Sequence, residues 1–191
     1  MLQMILLLFI VLDPFGNLVT INALLHKLDA SNRRRIMLRE SLIALAILMS
    51  AVYAGGLIMR ALGLKPYALG VAGGIVLFMI AMGMVFPAKR MMDEEDAGDP
   101  VIVPIAMPLI AGPSTISFIL LLSQKHERSL VATSVFIAGI GSAIILTLSP
   151  AIYARLGHRG SRAVERLMGM LLVMMSVQMV LDGIQAYLKA V

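Results

Sequence analysis

A carboxylate stands inside the first apolar stretch of this chain: Asp13, followed by Pro14, Phe15, Gly16 and Asn17. Proline brings no amide hydrogen and glycine no side chain to hold a helical backbone, so a helix running through this segment is expected to break. A charge near the bilayer centre costs about 2.5 to 3.5 kcal/mol on insertion scales, which a partner, a water-filled hollow or a task must offset. The carboxylate can bind a cationic group or a proton; it can equally cap the N-terminus of the helix that resumes after the break. A second interruption follows at Pro104, Pro108 and Ala111-Gly112-Pro113-Ser114-Thr115, with Pro113 lying 99 residues after Pro14. A helix that restarts in mid-membrane presents free amide hydrogens and a positive dipole end, which suit a carboxylate. A zwitterion such as an amino acid would find amide donors for one end and Asp13 for the other.

Around these breaks the candidate binding residues are Asp13, Gly16, Asn17, Gly112, Ser114, Thr115 and Gln178, with Pro14, Pro108 and Pro113 as the helix breakers. Asn17, Thr20 and Asn22 can serve instead as hydrogen bonds between helices, and Ser114 and Thr115 as N-terminal caps. Gln178 and Asp182 have helix packing and an interfacial position as their plainer readings. His26, His126 and His158 fall outside the apolar runs without metal-ligand spacing, and the 16 methionines form no clustered loop motif, so no metal site and no cofactor are expected. The chain has no cysteine, which removes disulfides and thiolate chemistry.

The elements that must position these residues follow from composition. At 60% hydrophobic and 14% charged residues, with a mean hydropathy of +0.94, the 191-residue chain cannot present an ordinary soluble surface. Four uncharged runs are long enough to cross about 30 Å of hydrocarbon as helices: Ser41 to Met59, Tyr67 to Phe86, Val101 to Gln124 and Ser129 to Ala154. Met1 to Leu25 and Leu167 to Leu188 add one acid each, giving an all-α, polytopic membrane protein of six transmembrane helices. Eleven of the 16 basic residues fall in the three loops on one side (Lys27, Arg33, Arg34, Arg35, Arg39; Lys89, Arg90; Arg155, Arg159, Arg162, Arg166). The positive-inside rule makes that side cytoplasmic and both termini external. The acidic cluster from Asp93 to Asp99 weighs little in that rule and reads as a solvated loop. The net charge of +5 is likewise explained by topology and anionic lipid, so no nucleic-acid partner is expected. No cleavable leader is apparent, because the basic cluster follows the first apolar stretch.

Gly74, Leu77, Met79, Met84 and Val85 recur as Gly169, Leu172, Met174, Met179 and Val180, all 95 residues on, and Leu62-Gly63 is echoed by Leu156-Gly157. With the paired breaks, this predicts two inverted three-helix repeats, about 1–87 and 101–191, joined by a cytoplasmic linker at about 88–100, with spans 1 and 4 broken. Gly70 and Gly74 have the GxxxG spacing of close helix approach, either within one protomer or between two copies in a homo-oligomer.

Asp13-Pro14-Phe15-Gly16-Asn17 resembles the DPxGN signature of the MarC family of bacterial inner-membrane proteins, and Pro108-Leu109-Ile110-Ala111-Gly112-Pro113 resembles its second signature. Val19 and Ser114 depart from the family pattern, where proline and glycine are common. The resemblance implies an architecture related to the LysE-type exporters, a bacterial inner-membrane location, and transport of small neutral amino acids as described for some members. No GxxxxGK[ST] occurs, so energy would come from a proton or sodium gradient; HExxH and GxSxG are absent, which argues against an enzyme. A channel or structural membrane subunit is the remaining alternative.

Overall fold

The computed structural model describes residues 1–25, 28–86 and 110–190, and among these all regular structure is helical. Seven helices follow in order: α1 (Leu2–Leu12), α2 (Asn17–Leu25), α3 (Ala30–Ala61), α4 (Pro66–Val85), α5 (Pro113–Lys125), α6 (Arg128–Thr147) and α7 (Ser149–Leu188). Four of them, α3, α4, α6 and α7, are long and apolar enough to cross a membrane. The break expected in the first span is present. With 11 residues in α1 and nine in α2, each half extends only about 13 to 17 Å, too short for a crossing by itself. α5 is likewise a half-length helix of 13 residues beginning at Pro113. The first part of the fourth expected span, with Pro104 and Pro108, the linker and its acidic cluster, and His26 lie outside the described residues.

Two expected boundaries are corrected. The run from Ser129 to Ala154 is not one helix: α6 ends at Thr147, and Pro150 lies in the first turn of α7, where a missing amide hydrogen costs nothing. The last span does not start afresh near Leu167 but belongs to α7, which is interrupted at Gly157 (φ 65°, ψ 177°). Gly63, between α3 and α4, takes the same left-handed φ of 66°, so the two Leu-Gly pairs matched by sequence share one backbone device.

α4 and α7 make the most extensive helix contact among the described residues, and glycine builds it. A Cβ placed on Gly74 would stand 2.7 Å from Val180 Cγ2 and 2.8 Å from the Ser176 carbonyl oxygen. One placed on Gly169 would stand 3.0 Å from Val85 Cγ2 and 3.2 Å from the Ala81 carbonyl oxygen. Gly70 approaches Gly183 in the same seam, its added Cβ 3.7 Å from that residue's Cα. As the numbers rise along α4 they fall along α7, so the pair is antiparallel. Shifting Gly74, Ser176 and Val180 by 95 residues gives Gly169, Ala81 and Val85, so the contact is reciprocal. The GxxxG spacing of Gly70 and Gly74 is thus spent inside the protomer.

On the other flank α6 packs against α1 and α3, with Leu8, Leu48, Val131, Val135 and Leu146 almost wholly enclosed. At the charged end of α3, Glu40 is buried beside Arg39, whose Nη2 donates to Glu40 Oε1 at 2.8 Å. The outer faces of α3, α4, α6 and α7 expose Leu, Ile, Met and Phe, as lipid-facing surfaces do.

Candidate functional site

Asp13 ends α1 in the left-handed region (φ 44°, ψ 57°), a conformation that aspartate and asparagine tolerate better than most residues. Its amide donates to the carbonyls of Phe9 and Ile10 at 3.2 and 3.1 Å, closing α1. Its carboxylate Oδ1 accepts the Gly16 amide hydrogen at 3.0 Å, and its carbonyl accepts that of Asn17 at 3.2 Å, opening α2. One residue therefore stitches both half-helices. The capping reading of Asp13 is realised in these contacts, and the same residue also lines the cavity described below.

Gly16 is the tightest point of the turn. A Cβ added there would run into Asp13 Oδ2 and Met84 Cε. The methionine end can swing away, whereas Asp13 is held by the backbone on both sides. Gly16→Ala is therefore expected to displace the carboxylate and destabilise the protein by about 1 to 3 kcal/mol, the usual cost of overpacking. Gly83→Ala, where an added Cβ meets nothing within 4 Å, is the matched control. Thermal unfolding of the two variants in detergent checks this, and equal midpoints would remove the steric argument.

The second restart lies across from the first. Gly112 precedes α5 in extended backbone (φ −71°, ψ 164°), Pro113 occupies its first turn, and Ile110, Ala111, Ser114 and Thr115 are buried. The first-turn amides of Ser114 and Thr115 have no intrahelical acceptor, as at any helix start. Asp13, Gly16 and Asn17 from the first break, and Gly112, Ser114 and Thr115 from the second, line one cavity of about 780 Å³. Leu77, Gly83 and Met84 of α4 complete one wall and Leu172 of α7 another. The volume falls within the roughly 300 to 1,000 Å³ range of small-molecule sites.

The cavity also holds charges from outside the candidate set, two of them counted above only as loop cations. Arg162, Glu165 and Arg166 of α7 line it, and Glu165 is near enough to Asp13 to act on it electrostatically. A signal was present: these residues continue, at helical spacing, the stripe of Gly169, Leu172, Ser176, Met179 and Gly183 that α7 buries. Thr20, one turn beyond Asn17, is a further lining residue. Gln178 is not brought to the cavity. It is exposed on the opposite side of α7, where its Nε2 donates to Asp182 Oδ1 at 2.7 Å, an i, i+4 pair along one helix face. Among the described residues no group of three or more acidic or histidine side chains is placed to hold a metal ion.

Comparison with known proteins agrees with the break motifs. Residues 1–188 match the model of the MarC family integral membrane proteins. The chain belongs to the MarC family. It is 41% identical over 190 residues to a UPF0056 membrane protein of Buchnera aphidicola subsp. Schizaphis graminum, covering 96% of this chain and 95% of that one. The UPF0056 inner membrane protein YhgN of Escherichia coli K12 is 40% identical over 187 residues, with 96% and 95% covered. A UPF0056 membrane protein of Methanocaldococcus jannaschii is 35% identical over 190 residues, covering 93% of this chain and 83% of that one. No solved structure matches. Both signature stretches by which this MarC protein was recognised, as far as they are described, end at the cavity: Asp13 to Asn17 directly, the second through Gly112.

Proposed function

We propose that this MarC protein is a secondary transporter of small neutral amino acids, working by alternating access around the cavity between its two broken helices. The observation that carries the reading is the convergence of both breaks, with charges of both signs, on that one cavity. A zwitterion needs an anion for its ammonium and donors for its carboxylate. Asp13 and Glu165 supply the first; the first-turn amides of α5 and the guanidinium groups of Arg162 and Arg166 supply the second. Proton or sodium coupling fits a buried carboxylate in the same space.

The six-span, inverted-repeat layout belongs to the same proposal, counting α1 with α2 as span 1 and α5 as the second half of span 4. Its support is the reciprocal Gly74–Val180 and Gly169–Val85 seam and the paired left-handed glycines at 63 and 157. An antiparallel seam that maps onto itself implies a two-fold axis across the helices, hence in the membrane plane. In this reading both termini are periplasmic, the cavity end lined by Phe86 and Arg162 faces the cytoplasm, and the protein resides in the inner membrane, where its relative YhgN is named to be.

Counterflow of labelled glycine, alanine and serine in proteoliposomes tests the function. Saturable exchange of at least one of them is expected; unsaturable conductance would make the protein a channel, and no flux of any of the three would remove the substrate assignment.

A further inference from the structure

Gln178 and Asp182 pose a problem that the described cavity does not solve. Both lie on α7, a helix long and apolar enough to cross a membrane, Gln178 exposed and Asp182 half-buried, and they satisfy one another across 2.7 Å. Polar and acidic side chains within membrane spans ordinarily face the bundle interior or water, because hydrocarbon offers them no partner. The face they occupy here otherwise presents Met174, Val177, Leu181 and Ile184 outward.

The α4–α7 seam supplies a way to read that face. It is reciprocal under the 95-residue shift, so every position on α4 has a counterpart on α7 related by the same operation. α4 lines the cavity with Leu77, Ile80, Gly83 and Met84, and Phe86, just past its end, lines it too. Their counterparts are Leu172, Met175, Gln178, Met179 and Leu181. Of these only Leu172, near the level of the breaks, lines the present cavity. The remainder run from that level toward the opposite end of the helix pair. If the halves exchange conformations, the roles of the two stripes exchange as well.

We infer that Gln178 is the counterpart of Gly83 in a second cavity, open to the opposite membrane face, which forms when the two halves swap conformations. In the state described here Gln178 is parked against Asp182; in the other, its amide meets water and the polar end of the substrate, with Met175 as its apolar neighbour. The two routes are chemically unequal, since one is lined by a glycine and the other by an amide. This inference rests on the alternating-access reading above.

Thiol labelling in the full-length protein tests it without requiring flux, and the natural chain has no cysteine to interfere. Gly83→Cys, Gln178→Cys and Met174→Cys are prepared in membrane vesicles of both orientations and exposed to a membrane-impermeant, charged maleimide. An added Cβ at Gly83 meets nothing within 4 Å, and positions 178 and 174 are exposed, so the variants are expected to fold. The expected result is severalfold faster labelling of Gly83→Cys from one face and of Gln178→Cys from the other, with Met174→Cys, one turn away on the outer surface, unreactive from both. Protection of Gln178→Cys from both faces, as burial in lipid or against a second copy would give, overturns the inference. So does labelling from the same face as Gly83→Cys, or equal labelling of Met174→Cys. Should the native protein exchange none of the three amino acids while opposite-sided labelling holds, the substrate assignment falls and the second cavity stands. Should exchange occur with Gln178→Cys protected, the second cavity alone is wrong.

Discussion

Asp13→Asn is expected to reduce saturable amino-acid exchange by about ten- to a hundredfold, the loss that follows from removing a charged hydrogen-bond partner worth roughly 1.5 to 3 kcal/mol, while leaving the fold in place. Asparagine is the informative replacement for three reasons. It accepts the left-handed backbone that Asp13 adopts at φ 44°. Its side-chain oxygen can take over the Gly16 amide hydrogen that Oδ1 now receives at 3.0 Å. And it fills nearly the same volume in a buried site. What it cannot do is carry negative charge toward a substrate ammonium or take up a proton. Capping alone would therefore survive the change, and binding would not. Comparing counterflow of glycine, alanine and serine with thermal unfolding in detergent separates the two. Undiminished exchange would reduce Asp13 to a structural cap, and a collapse of both quantities together would show that asparagine had failed to hold the break.

The second large effect is expected along the seam of α4 and α7. Gly74→Val and Gly169→Val should each lower stability by about 1 to 3 kcal/mol, because the atoms facing the new side chains include backbone that no rotamer change can move. At Gly74 these are the Ser176 carbonyl and the Val180 amide, 2.8 and 3.1 Å from an added Cβ; at Gly169 the Ala81 carbonyl lies at 3.2 Å. The two contacts are separated by roughly nine residues of α4, about 14 Å, so their effects should add in the double variant. Gly83→Ala, on the same helix but facing open space, should instead gain up to about 1 kcal/mol from helix propensity alone. Thermal unfolding followed by circular dichroism reads all four. Opposite signs for Gly74 and Gly83 are the decisive pattern, and a stable double variant would mean that the seam tolerates separation.

Much of the architecture could be read from residues whose physics has few solutions. An aspartate, a proline and, two residues on, a glycine cannot continue a helix through hydrocarbon, and the break at Asp13 is found where they stand. At Gly112-Pro113 the described part is the start of a 13-residue helix, and Gly112 shares one cavity with Asp13. What escaped notice depended on rotation and on permissive residues. Pro150 is compatible with a continuing apolar run or with the first turn of a new helix, and nothing in its neighbours decides between them; the structure starts α7 at Ser149. Gln178 was a candidate, yet the buried stripe of Gly169, Leu172, Ser176, Met179 and Gly183 turns it away from the described cavity. The same stripe, followed toward the N-terminal side, carries Arg162, Glu165 and Arg166 into the cavity. Helical spacing counted from the glycines tells which of these side chains line the described cavity, since the glycines set which side of α7 meets α4.

Because Val85 seats on Gly169 and Val180 on Gly74, each helix limits the side-chain size that the other can carry at the seam. A larger residue at 85 has to be absorbed at 169, and its twin at 180 has to be absorbed at 74. Outward surfaces carry no such obligation and are free to diverge. Among the α4 and α7 pairs that match across the 95-residue shift, Gly74–Gly169, Leu77–Leu172, Met84–Met179 and Val85–Val180 lie on the buried or half-buried side, while Ala68–Ala163 and Met79–Met174 face out. Side-chain size along this seam is thus constrained from both helices at once.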